Sequence, residues 1–293
     1  MLDYHLHLWP HELSETTLSS ERIAAYWKAA QAAGVHEIAV TEHLFRFGQS
    51  RRIARNLFDG EPAELVASMV EYFDHHARAD LDGYVEAVLA AKAAGVPVAL
   101  GLEVDHYRGR MDDVAKLLGG YPFDVLLGSV HWLGAWRFDD LGEPAQMERW
   151  SDAWIEEVWD RYATEVEAMA ASGCCDVLAH LDLAKVAGHI PPRPEAFWDR
   201  LAGAASNRGL AVEISSAGLF KWCQEVYPAP GLLDRLVARG VSFTTASDAH
   251  DLERVGQGMD ILRGVLKRAG IERLVGYTAR AQRPVPLKAA ADH

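Results

Sequence analysis

Leu2-Asp3-Tyr4-His5-Leu6-His7 opens the chain as a short apolar strand closed by two histidines. Residues i and i+2 of a strand share a face, so His5 and His7 point the same way. The pattern recurs along the chain. Residues 36–41, 97–104, 123–130, 176–180, 210–214 and 241–246 read as further strands, rich in Val, Leu and Ala and mostly apolar throughout. Strands of that kind are buried on both faces of a parallel sheet. Many of them end on a chemically active residue: Thr41-Glu42-His43, Gly101-Leu102-Glu103, Gly128-Ser129-Val130-His131, Leu178-Ala179-His180 and Ser247-Asp248-Ala249-His250.

Helical stretches separate these strands, at residues 18–33, 81–94, 152–171, 194–207 and 231–239. Most stop at or just before a glycine (Gly34, Gly95, Gly173, Gly209, Gly240), the usual left-handed stop signal. Seven βα units without a linker-like tract predict one α/β barrel over residues 1–293 rather than an open sheet with a second domain. In such a barrel the carboxyl ends of all strands meet at one mouth, which brings residues 5 and 250 together. Two segments are longer than a connection needs: residues 44–80, helical around 63–76, and residues 132–150. Both follow strands and are expected to overhang the mouth. The tail 283–293 is expected to be loosely held.

The net charge of -13 argues against non-specific binding to nucleic acid or a membrane surface. It also means that an anionic substrate needs a local positive field, which bound divalent metals would supply. Cys174, Cys175 and Cys223 are an odd set with two adjacent, a poor disulfide framework, and a reducing cytoplasm fits them. The chain runs into Asp3-Tyr4-His5 with no room for a signal peptide, and no apolar run approaches the roughly 20 residues of a membrane span. Oligomeric state is left open.

No packing argument demands a histidine at the end of one strand after another. Imidazole and carboxylate without thiolate suit zinc, iron or manganese. The candidate ligands are His5, His7, His11, His43, Glu103, His131, His180, Asp248 and His250. His11, in a Trp-Pro loop, reads as a ligand, with a surface histidine as the alternative. Asp248 and His250 share a face only if strand geometry persists to that point. Trp132 and Trp136 follow a ligand and are expected to wall the pocket, whereas Trp150, Trp154 and Trp159 read as packing.

The ordered set H-x-H, T-[DE]-H, G-x-E, S-x-H, A-H and S-D-A-H resembles the polymerase and histidinol phosphatase (PHP) superfamily. The stretches Gly128-Ser129-Val130-His131-Trp132-Leu133, with Trp136 and Phe138-Asp139, and Glu213-Ile214-Ser215-Ser216-Ala217-Gly218-Leu219, with Lys221, Glu225 and Tyr227-Pro228, are similar to its histidinol-phosphate phosphatase branch. The resemblance spans residues 1 to about 262. It implies a distorted (β/α)7 TIM-like barrel holding two to three divalent ions. His5, His7, Glu103 and Asp248 would hold the first, Glu103 bridging to a second completed by His131 and His180, and His11, His43 and His250 the third. The loop from His7 to His11 is shorter than is usual in that family, which points to two firm metals and a labile one.

Glu103, Asp248 and His131 are then the expected catalytic residues, in a hydrolase that releases L-histidinol from L-histidinol phosphate. Two metals about 3.5–4 Å apart can activate a shared water and spread charge on a phosphoryl group. Lys221 and Arg46 are candidate phosphate contacts, or ordinary solvated cations. Glu225 is a candidate for a substrate amine, or a surface charge. The rival readings are a PHP phosphoesterase for another small ester or a nucleotide, and a non-catalytic metal module.

Overall fold

The computed structural model describes residues 1–11 and 18–287, so the tail beyond 287 and the Thr16-Thr17 start expected for the first helix lie outside the described residues. Seven strands form one parallel sheet in sequence order: β1 (Leu2–Leu6), β2 (Glu37–Val40), β3 (Val98–Asp105), β4 (Val125–Ser129), β5 (Val177–Leu178), β6 (Ala211–Ser215) and β7 (Phe243–Ala246). The ring closes where the end of β1 meets the segment after β7. Leu6 bridges Ala249 in parallel, the His7 amide donates to the Ala249 carbonyl at 2.9 Å, and the Asp248 amide donates to the His5 carbonyl at 3.0 Å. Five of the seven strands fall within the segments the apolar runs marked out, and β3 and β6 each run one residue further, to Asp105 and Ser215. Their residues are almost entirely buried, as a sheet covered on both faces requires.

Local chemistry sets the helix ends. The helix Ser20–Ala32 starts at Ser19, whose side chain accepts from the Arg22 amide, and gives way to Gly34 at φ 74°. The helix Leu81–Ala93 starts at Asp80, which accepts from the Gly83 amide. Ala63–His76 is helical as expected and packs over the mouth. Its Tyr72 and Phe73 lie beside Phe45, and Phe73 reaches Trp132. The helices Met111–Leu118, Ile155–Ala171, Glu195–Ser206, Pro230–Ala238 and Met259–Arg268 complete the outer layer.

The carboxyl-terminal region is ordered further than its composition suggests. Strands β8 (Arg273–Thr278) and β9 (Ala281–Pro286) form an antiparallel hairpin, so Arg283 to Pro286 are not part of a loose tail. Ala279 and Arg280 both have positive φ, 47° and 65°, as a two-residue primed hairpin turn demands. The hairpin covers the barrel end opposite the ligand-bearing strand ends. Tyr277 is buried there, its hydroxyl donating to the Asp176 carbonyl at 3.1 Å, and Arg280 pairs with the Asp176 carboxylate.

Candidate metal centre

Glu103 lies near the end of β3, fully buried, with its two oxygens serving different histidines. Oε1 is 3.2 Å from His131 Nε2 and 3.1 Å from His180 Nε2. Oε2 is 3.3 Å from His5 Nε2, 3.5 Å from His7 Nε2 and 2.6 Å from His43 Nδ1. A second carboxylate, Asp248, puts Oδ1 at 3.3 Å from His7 Nε2 and 3.7 Å from His5 Nε2. Four groups of three side chains converge closely enough to share an ion: His5, His7 and Asp248; His5, Glu103 and His180; His43, Glu103 and His131; and His7, His43 and His250. Eight of the nine candidate ligands thus meet at one mouth.

His11 stands apart from these groups. It is exposed, and its ring stacks on His250 with centroids 3.8 Å apart. His43 sits closer to Glu103 than a role confined to a third ion implies, since it groups with both His131 and His250. Strand geometry does not persist through Ser247-Asp248-Ala249-His250. β7 ends at Ala246 and Asp248 adopts φ 54°, so it is a left-handed turn, not alternation, that brings Asp248 and His250 to the mouth. His180 is also left-handed, at φ 26°. Backbone held in that region costs about 1–3 kcal/mol, and such strain concentrates at functional sites.

Asp3 clasps this turn from below. Its Oδ1 accepts from the Ser247 amide at 2.8 Å, and its Oδ2 accepts from the Ser247 hydroxyl at 2.7 Å and the Gly256 amide at 3.0 Å.

The donor set passes a direct test for metal binding. His5 Nε2, His7 Nε2, His43 Nδ1, His250 Nε2 and Glu103 Oε2 are all buried and make no well-aligned hydrogen bond, even where His43 Nδ1 and Glu103 Oε2 lie 2.6 Å apart. Buried polar atoms without partners are costly, and a cation among them removes the cost. Burial pushes the Glu103 carboxyl up, but the imidazoles of His43, His5 and His131 hold it well below the usual carboxylate range. Asp248 is held down in the same way, by His5 and His7. Burial drives His43 and His250 well below the usual imidazole range. The neighbouring carboxylates, against the lowering effect of burial, hold His5, His7 and His131 above the usual imidazole range. Divalent ions need ionised carboxylates and neutral imidazoles, so binding them would release the protons these three rings hold.

Behind the ligands stands a layer of carboxylates that the strand-end pattern did not single out. Glu213 Oε2 is 2.9 Å from His5 Nδ1, and Asp105 Oδ1 is 2.6 Å from His131 Nδ1. Glu42 Oε2 lies 3.6 Å from His7 Nδ1, while its Oε1 accepts from the Trp9 amide at 2.9 Å. The available signal was an acid inside an otherwise apolar strand, and for Asp105 its i+2 relation to Glu103. Asp139 is a further carboxyl near the mouth. Burial raises it, and the charges of His131 and Lys221 oppose the rise.

Of the candidate substrate contacts, Arg46 is buried. Its Nη1 donates to the Trp9 carbonyl at 3.2 Å and lies 3.5 Å from Glu42 Oε2. Lys221 is half-buried, and its charge acts on both His11 and Asp139. Glu225 Oε2 accepts from Lys185 Nζ at 2.7 Å, and that buried lysine also pairs with Asp182 at 3.0 Å. Trp132 and Trp136 are both buried in aromatic clusters, Trp132 against Phe58, Phe73 and Tyr107, Trp136 against Phe138 and Trp150. They back the site rather than line an open pocket. Trp154, read as packing, is 44% exposed.

A Deinococcus radiodurans protein named "Probable histidinol-phosphatase" is 37% identical over 172 residues, 59% of this chain and 65% of its own length. This chain therefore spans less than two thirds of that relative. The fold matches the crystal structure of a histidinol phosphate phosphatase from Lactococcus lactis at TM-score 0.70 and 19% identity, covering 96% of this chain and 98% of the other. It matches a candidate histidinol phosphatase from Listeria monocytogenes at the same TM-score and identity, covering 89% and 99%. The PHP domain model matches residues 3–217, from the first strand through the end of β6, and takes in most of the histidines gathered around Glu103. With its seven-stranded barrel and its ligand-bearing strand ends, the chain belongs to the PHP domain family.

Proposed function

We propose that this protein is a metal-dependent phosphoric monoester hydrolase that converts L-histidinol phosphate to L-histidinol and phosphate, a step of histidine biosynthesis. The observation that carries the reading is the set of buried ligand atoms around Glu103 that make no well-aligned hydrogen bond. Two to three divalent ions, zinc, iron or manganese, would be held by His5, His7, His43, Glu103, His131, His180, Asp248 and His250, with His11 at the outer edge beside His250. The Lactococcus protein was crystallised with zinc, L-histidinol and phosphate, which supports both the metal class and the substrate. The free cysteines fit a reducing, cytoplasmic setting.

Bound ions would lower the pKa of a water toward neutrality and neutralise charge on the phosphoryl oxygens. The rest falls to the chain. Glu103, facing imidazoles through both oxygens and belonging to two of the candidate groups, would serve two ions at once. Asp248 and His131 complete the catalytic set from either side of it. Arg46 and Lys221 supply fixed positive charge for a dianionic ester in a protein of net charge -13. Glu225, braced by Lys185, offers its carboxylate to the substrate amine. A charged donor on a phosphoryl oxygen, made in a partly dry mouth, is worth about 1.5–3 kcal/mol.

The test is kcat/KM for histidinol phosphate against a generic aryl phosphate, in the wild type and Lys221→Ala. We expect a strong preference for histidinol phosphate, and a loss of about 1.5–3 kcal/mol in its kcat/KM in the variant with metal content unchanged. A wild type with no such preference would overturn the substrate assignment and leave only a broader phosphoesterase.

A further inference from the structure

Glu213 is fully buried in the middle of β6, an acid between the apolar Val212 and Ile214. Both of its oxygens are engaged, and each meets a different donor at the metal centre. Oε2 lies 2.9 Å from His5 Nδ1. Oε1 accepts from the backbone amide of His180 at 2.9 Å, at the residue whose φ is 26°. His5 and His180 are two of the three members of one candidate ion site, and the third is Glu103. One carboxylate therefore aims one ligand by its ring and another by its backbone.

We propose that Glu213 is a positioning residue for the metal centre: it keeps the His5 proton on Nδ1, so that Nε2 presents its lone pair to the ion, and it holds the strained His180 turn in place. This inference rests on the metal-dependent reading above. It also explains why a carboxylate stands here rather than an amide. Two donors, a ring N–H and a backbone N–H, need two acceptor oxygens. Glutamine offers one. If its NH2 faces the His180 amide, two donors meet in a buried site and the turn loses its anchor. If its NH2 faces His5, Nδ1 must accept, the ring proton moves to Nε2, and that nitrogen can no longer ligate. Asp105 provides the contrast. Only its Oδ1 contacts a ligand, His131 Nδ1 at 2.6 Å, while Oδ2 is buried without a hydrogen-bond partner. An asparagine can keep its carbonyl on His131 and turn its NH2 to the idle side.

The experiment is zinc affinity by competition with a chromogenic chelator, on wild type, Glu213→Gln and Asp105→Asn, each checked for native circular dichroism. Loss of a partner behind a metal ligand costs about 10–100-fold in affinity. We expect a loss in that range at one site for Glu213→Gln and a smaller loss for Asp105→Asn. Affinity in Glu213→Gln equal to wild type, or lowered no more than in Asp105→Asn, would overturn the proposal. If Glu213→Gln does not fold, nitrogen-15 shifts of the His5 ring in zinc-loaded wild type decide the matter. A protonated Nδ1 with metal on Nε2 is expected, and metal on Nδ1 contradicts it. Because the readout is metal affinity, the phosphatase assignment survives a negative result here, whereas a wild type that binds no metal removes that assignment itself.

Discussion

Glu103 links the two sides of the site, His131 and His180 on one oxygen and His5, His7 and His43 on the other. Glu103→Ala leaves five imidazoles without their shared carboxylate. We expect at least about a 10³-fold loss in kcat, the scale of a lost principal electrostatic element, together with the loss of at least one bound metal by elemental analysis. His11 is exposed and stacks on His250 at the edge of the cluster. His11→Ala should therefore cost much less, and an equal loss in the two variants would mean that His11 is a full ligand. The eight candidate ligands that converge were legible because a histidine or an acid at the end of one apolar strand after another has no competing packing explanation. Glu213 and Asp105 were not singled out as site residues. An acid within a strand acquires its role only from the ring that the folded barrel places opposite it.

Among the elements, the β-strands were legible because buried parallel strands read as apolar runs, whereas the β8–β9 hairpin was not. Its turn is Ala279-Arg280, without the Asn-Gly or Asp-Gly signal that positive φ usually calls for, and its burial depends on Tyr4, Asp124 and Asp176 from distant strands. Tyr277 anchors it, 2% exposed. Tyr277→Ala should destabilise by about 3–5 kcal/mol in urea unfolding, the range for deleting a buried aromatic ring. The kcat per folded molecule should stay unchanged, because the hairpin lies at the opposite end from the ligands. The β7–β1 junction carries a pH signature. Burial pushes the Asp3 carboxyl up to about 7, against the lowering effect of the Ser247 and Gly256 donors. Its folded pKa lies above its unfolded value, so the folded state binds more protons between about pH 4 and 7. Its contribution to stability is fully present below about pH 4 and is lost as pH rises through about 7. The urea midpoint of wild type relative to Asp3→Asn should accordingly fall from pH 5 to pH 8. A pH-independent difference between the two would show that Asp3 is ionised throughout.

At the scale of the whole molecule, a parallel barrel turns sequence order into a ring of strand ends. Residues 5 and 250 become neighbours across the β1–β7 seam. That geometry was legible from alternation of strands and helices alone. How the side chains group within the ring was not, because it depends on left-handed turns at His180 and Asp248. The central claim is that this ring is a metal centre that performs the chemistry. The most direct measurement is elemental analysis of the purified, undenatured protein alongside phosphate release from histidinol phosphate as chelator is added. The account predicts two to three equivalents of zinc, iron or manganese per chain, with activity lost as metal is removed and regained when it is restored. Less than one equivalent, with phosphatase activity indifferent to chelator, would contradict it.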